Sequence, residues 1–223
     1  MIIATSYRAW NEPEVQKSQT DFILSLNFKE RKCGIHIWKE KNGYKLGENV
    51  ENIPIFIKSL FKDYSFSIYT PNIKNVEKYI YRNIYNTQKN FIYFIISNKL
   101  ALDELYKVYH DLKQDQFIYG IRPDLVIKNV KIEFDVTKIN YPKNTYIAKA
   151  WCHEMQNQAG DSLFITTPYV IESLYNLHKE HNETFINLCK ISFNNEEIFC
   201  NILKILDINY VEIGDNIEAF IKR

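Results

Sequence analysis

Hydrophobic and polar positions divide this chain into short segments whose period changes many times. From Glu14 to Asn27 the pattern reads as a helix, with Phe22, Leu24 and Leu26 near its end. Cys33–Lys39 alternates as a strand does: Ile35 and Ile37 fall on one face, His36 and Trp38 on the other. Glu40-Lys41-Asn42-Gly43 is a turn signal. Pro54–Asp63 predicts a short helix with proline in its first turn. Tyr64–Tyr69 then reads as a strand, Asn72–Asn86 as an asparagine-capped helix, and Phe91–Ser97 as an apolar strand.

The second half is more legible. Leu102, Leu105, Val108, Tyr109 and Leu112 make Leu100–Gln114 an amphipathic helix. Phe117–Ile121 is a short strand, and Asp124–Ile127 and Val130–Ile139 are two strands joined at Lys128-Asn129. Asn144–Gln158 predicts a helix and Ser162–Thr167 a strand ended by Pro168. A helix (Val170–His181), a strand near Lys190–Phe193, a helix (Glu196–Lys204), a strand (Asn209–Ile213) and a last helix (Asn216–Lys222) follow. This order predicts an α/β (α+β) fold with a mixed central sheet flanked by helices. Residues 1–98 are expected as an N-terminal α/β region packed on a core formed by residues 99–223.

Composition narrows the function classes without choosing one. With 46% hydrophobic and 25% charged residues in 223, the chain is globular and not disordered. A net charge of +1 leaves room for a local basic patch but excludes a strongly basic nucleic-acid module. Cys33, Cys152, Cys189 and Cys200 show no C-x-x-C spacing, so reduced, buried thiols are expected and a zinc site is not supported. The start, Met1–Glu14, lacks a basic stretch followed by an apolar core, and Phe91–Ser97 is too short to cross a bilayer. A cytoplasmic location without a membrane partner is therefore expected.

Candidate chemistry concentrates at residues 122–138. Along Val130–Thr137, Val130, Ile132, Phe134 and Val136 share one face, while Lys131, Glu133, Asp135 and Thr137 share the other. A two-residue turn at Lys128-Asn129 would pair Leu125 with Ile132 and Asp124 with Glu133. Those two carboxylates would then be direct cross-strand neighbours, with Cβ atoms about 5 Å apart. Like charges so placed repel, and a divalent cation with oxygen ligands, Mg²⁺ or Mn²⁺, offsets the repulsion. The other reading is a solvated acidic face beside Lys131.

The predicted α-β-β-β-α-β order over about residues 100–167, with Pro123-Asp124 opening the second strand and Glu133 in the third, resembles the PD-(D/E)xK, or restriction-endonuclease-like, nuclease superfamily. The C-terminal Ile208–Ile221 looks like the closing strand and helix of Mrr-like members. The resemblance implies a restriction-endonuclease-like core in the C-terminal half. It places the first motif acid on Asp124 and the second on Glu133, both as metal ligands, with Asp135 assisting.

The usual motif lysine is replaced, because Glu133-Phe134-Asp135 reads E-x-D. Lys138 and Lys149 are the candidates to orient the attacking water. The run Glu133-Phe134-Asp135-Val136-Thr137-Lys138 with Lys149 one helix later is similar to cap-snatching endonucleases of segmented negative-strand viruses. Their upstream histidine ligand makes His36 a candidate metal ligand here. Two functions follow from the resemblance. One is a Mg²⁺- or Mn²⁺-dependent nuclease acting on DNA or RNA. The other, supported by the missing lysine, is a non-enzymatic interaction protein with a protein partner on the same, degenerate fold.

Weaker patterns remain. His153-Glu154 begins like a zinc-protease motif, but Asn157 stands where its second histidine would be. His178 and His181 lie in a polar stretch that reads as a solvated helix end. Lys74, Lys78, Arg82 and Lys89 interleave with Tyr79, Tyr81 and Tyr85, a mixture that suits either nucleic-acid binding or an ordinary helix surface.

Overall fold

A computed structural model of the chain describes residues 2–6, 12–26, 31–38, 40–41, 44–45, 53–69, 86–122, 125–128, 140–148, 163–180, 183–184, 187–188, 195–212 and 218–221. In chain order its elements are β1 (Ile2–Ser6), α1 (Pro13–Ser25), β2 (Lys32–Trp38), β3 (Glu40–Lys41), β4 (Tyr44–Lys45), α2 (Ile53–Leu60), β5 (Asp63–Tyr69) and α3 (Asn86–Val108). Then come β6 (Ile118–Ile121), β7 (Leu125–Lys128), β8 (Thr145–Ala148), β9 (Leu163–Thr166), α4 (Pro168–Glu180), α5 (Asn195–Ile205), β10 (Asn209–Glu212) and β11 (Glu218–Ile221).

Seven strands form one mixed sheet in the order β10-β8-β9-β6-β1-β2-β5. Pairings β1·β2, β1·β6, β2·β5 and β8·β10 are parallel, and β9 runs antiparallel to β6 and β8. The mixed α/β fold expected from the pattern is thus present. Three of its strands come from residues before 98 and four from residues after it.

Alternation along the strands splits the core in two. Ile118, Tyr146, Ala148 and Phe164 point to one face, where they meet α3, α4 and α5. Cys33, Ile35, Ile37, Tyr119, Ile147 and Ile165 point to the other, beneath α1, α2 and β7. Central strands buried on both faces read as continuous apolar runs, and β6, β8 and β9 are buried at every position. Glycine permits two close approaches. A Cβ on Gly34 would stand 2.2 Å from the Ala101 carbonyl, so its absence lets the α3 backbone lie on β2. One on Gly120 would enter the Phe164 ring at 2.0 Å.

Four elements differ from the pattern's expectation. Phe91–Ser97 is not a strand but part of α3, where Phe91–Ile95 are all buried between the sheet, α4 and α5. A short apolar run has no period that separates a buried helix from a buried strand. Thr145–Ala148 opens the predicted helix 144–158 as strand β8, because β9 and β10 hydrogen-bond it on both sides. The predicted last helix holds strand β11 at Glu218–Ile221, antiparallel to β7. β1, which the pattern did not single out, is the central parallel strand between β2 and β6. The predicted strand 130–139 lies outside the described residues. The described partner of β7 is β11, with Leu125 opposite Ile221 and Ile127 opposite Ala219.

Candidate functional site

The strand order changes direction at β1. From β1 the chain moves outward through β2 to β5, then α3 carries it back so that β6 lies on the other side of β1. β1 and β6 therefore flank a switch of direction, the place where open sheets hold ligands in a crevice outside the carboxyl ends of their strands. β6 ends at Ile121, and Arg122-Pro123-Asp124 follow directly in the sequence.

That connection is held from below by α1. The Leu125 amide donates to the Arg122 carbonyl (3.1 Å), closing a tight turn between β6 and β7. Gln19, fully buried, donates from Nε2 to the carbonyls of both Arg122 and Leu125, each at 2.8 Å. One residue earlier, Ser18 Oγ accepts from the Ile127 amide (3.3 Å) and donates to the Val15 carbonyl (3.1 Å). Around these bonds Phe22 meets Tyr119 edge to face at 6.0 Å, and Leu125, Val126 and Ile127 are buried.

Of the residues proposed from sequence, His36 is described. Asp124, Glu133, Asp135, Lys138 and Lys149 lie outside the described residues. His36 sits on β2, which β1 separates from β6, so it is not on the strand that leads to Asp124. Its ring is fully buried, and Nδ1 is 2.8 Å from Ser67 Oγ. Burial lowers its pKa to about 4, against an opposing pull from the nearby Glu104 carboxylate. Glu104 is itself buried, accepting from Ser65 Oγ and from Lys107 Nζ (2.7 Å). His36 therefore belongs to a polar group on β2, β5 and α3, and in the sheet it pairs with Thr5 of β1. His178 differs from its solvated reading: it is buried, and burial lowers its pKa to about 4.

Among the described residues no group of three or more His, Cys, Asp or Glu side chains could hold a metal ion. Cys33 and Cys200 are free and buried, and burial pushes the Cys33 thiol pKa well up. A groove of about 520 Å³ lined by Asn144, Cys200, Lys204 and Tyr210 lies at the amino ends of β8 and β10, at the opposite end of the sheet from the crevice. No helix among the described residues is long and apolar enough to cross a membrane.

Gln19 was not found from sequence, although a signal for it existed. It stands in the buried stripe Val15, Gln19, Phe22, Ile23 of α1, at positions where a helix normally places apolar side chains. A long amide there implies backbone groups to satisfy.

No protein-family model matches the sequence, and no curated protein matches it. Solved structures similar to it include the glycosyltransferase GlyE of Streptococcus pneumoniae, at 9% identity and TM-score 0.46, over 96% of this chain and 45% of that one. Mouse xyloside xylosyltransferase 1 is similar at 7% identity and TM-score 0.46, over 96% of this chain and 84% of that one. Francisella tularensis 2-C-methyl-D-erythritol 4-phosphate cytidylyltransferase is similar at 8% identity and TM-score 0.40, over 96% and 91%. This chain spans less than half the length of GlyE.

These structures are transferases rather than nucleases. The element order of this chain departs from that of the expected nuclease core. The helix expected after the acidic hairpin opens as β8, the closing helix contains β11, and β7 pairs with β11. The restriction-endonuclease-like core, the nuclease activity on DNA or RNA, and the non-enzymatic protein on a degenerate nuclease fold are all overturned.

Proposed function

We propose that the protein is a group-transfer enzyme. It binds a nucleotide-activated substrate in the crevice at the carboxyl ends of β1 and β6, with Mg²⁺ or Mn²⁺ held between Asp124 and the substrate's phosphates. The observation that carries this reading is the reversal of strand order between β1 and β6. In open, mostly parallel sheets, nucleotides and other phosphate-bearing ligands bind where the order reverses, outside the carboxyl ends of the strands.

The residues present fit such a cation. Mg²⁺ keeps much of its water and is commonly held by one or two carboxylates plus substrate phosphates, so a single acid on the turn after β6 meets its protein requirement. The cation would neutralise charge on the departing phosphate group. Arg122, half-buried at the end of β6, places a positive charge beside the same phosphates. Gln19 donates to the carbonyls of Arg122 and Leu125, which flank Pro123-Asp124 in the sequence.

Calorimetric titration with ADP, GDP, CDP and UDP tests the proposal. At least one should bind in Mn²⁺ and bind at least tenfold more weakly in chelator. Asp124→Ala should abolish that difference while its circular dichroism stays that of wild type. Absence of binding by all four at millimolar concentration with Mn²⁺ present overturns the reading.

A further inference from the structure

The end of α5 breaks two local rules at one residue. The helix closes with the Leu206 amide donating to the Ile202 carbonyl (3.0 Å), the Asp207 amide to Lys204 (3.2 Å) and the Ile208 amide to Leu203 (2.8 Å). In such a cap the residue that turns left-handed is usually glycine, because a Cβ is disfavoured there. Here it is Asp207, with φ of 51°, the one non-glycine residue at positive φ among the described residues. A carboxylate is also the wrong charge for a helix carboxyl terminus, whose carbonyls favour cations. Lys204 stands three residues earlier, yet neither side chain forms an ion pair among the described residues. An exposed residue that costs stability in two ways points to a use for its side chain.

Asp207 and Lys204 both line the groove of about 520 Å³ at the amino ends of β8 and β10. Small-molecule sites commonly span roughly 300–1,000 Å³. The inner surface of the groove is apolar, with Cys200, Leu203 and Ile208 buried there. Tyr210 also lines it, its ring stacked with that of Tyr146 at 6.5 Å between centroids. Hydrogen bonds build the frame. The Asn209 amide donates to the Asn144 carbonyl (2.8 Å), and Asn144 Nδ2 donates to the Asp207 carbonyl (2.6 Å). The turn from α5 to β10 is thereby tied to the residue that precedes β8.

We propose that this groove binds a zwitterionic small molecule, an α-amino acid with a large apolar side chain. Its ammonium group meets Asp207 and the negative end of the α5 dipole, and its carboxylate meets Lys204. Its side chain covers Leu203, Ile208 and Tyr210. A ligand with a single charge would leave one of the two groove charges without a partner. The site lies at the opposite end of the sheet from the proposed nucleotide site, and either can fail without the other.

Calorimetric titration of the full chain with L-phenylalanine and L-leucine tests this. At least one should bind with submillimolar affinity. The amine and the acid that each lack one of its charges, phenethylamine and 3-phenylpropanoate for phenylalanine, isopentylamine and 4-methylpentanoate for leucine, should bind at least tenfold more weakly. Asp207→Asn tolerates the left-handed turn and removes the charge, so it should weaken binding at least tenfold without lowering the melting temperature. Asp207→Gly should raise the melting temperature and lose binding, and Lys204→Met should also weaken binding at least tenfold. No binding of either amino acid at millimolar concentration, unaltered binding in Asp207→Asn, equal binding of the one-charge analogues, or a lower melting temperature in Asp207→Gly overturns the proposal.

Discussion

At the scale of single residues, the interior holds polar groups that apolar ones would not replace without consequence. His36 and His178 are buried, and burial lowers the pKa of each from its ordinary 6.5 to about 4. Each must therefore be neutral in the folded protein near pH 5, while the unfolded chain is protonated there. The sign follows: between pH 6.5 and 4 the unfolded state binds more protons, so stability falls as pH falls through that window. Above it these two groups add no slope. Each contributes an upper bound of about 3 kcal/mol. Urea midpoints should drop between pH 7 and 4.5, and His36→Gln with His178→Gln should flatten the drop. A wild-type midpoint independent of pH over that range would contradict the buried neutral state. For His36 the sequence showed a histidine alternating with apolar residues, a pattern that more often marks a structural histidine than a metal ligand. In the structure its Nδ1 stands 2.8 Å from Ser67 Oγ.

At the scale of elements, α3 shows what stabilises a helix that sequence read as a strand and a shorter helix. Ala101, Leu102 and Leu105 are buried against the sheet, while Lys99 and Asp103 form an i,i+4 ion pair in partly exposed positions. The two contributions differ greatly in size. Truncating a buried leucine costs about 2–5 kcal/mol, whereas an exposed helix ion pair contributes about 0.3–0.5 kcal/mol. Leu102→Ala should therefore lower the urea midpoint severely, and Lys99→Ala should leave it nearly unchanged. Equal effects in chemical denaturation would mean that α3 is held by its surface and not by its buried stripe. Amphipathic stretches were legible for this same reason: α1, α4 and α5 each fall within about two residues of the segment their apolar spacing predicts. Segments buried on all sides, β8 and the first part of α3, carry no such contrast between faces and were misread.

At the scale of the whole molecule, strands from both halves of the chain share one sheet. β6 needs β1 as its parallel neighbour, and α3 packs on β1, β2 and β5. A fragment of residues 99–223 is thus expected to lack a folded core: its far-ultraviolet circular dichroism should be that of a disordered chain, and its amides should exchange without protection. A cooperative urea transition from this fragment would contradict that expectation.

The sequence by itself determined the α/β class, the amphipathic helices, and the Arg122-Pro123-Asp124 break after a short apolar strand, because these depend on local period and on proline. It did not determine which strands are neighbours. The hairpin that would set Asp124 opposite Glu133 falls on residues outside the described ones, and the described partner of β7 is β11 from near the end of the sequence. Strand pairing is a long-range choice settled by how much apolar surface all elements bury together, and a four-residue strand carries too little pattern to select its partner. Tertiary structure alone placed β6 beside β1, made that pair the point where strand order reverses, and brought Gln19 to the Arg122 and Leu125 carbonyls that follow.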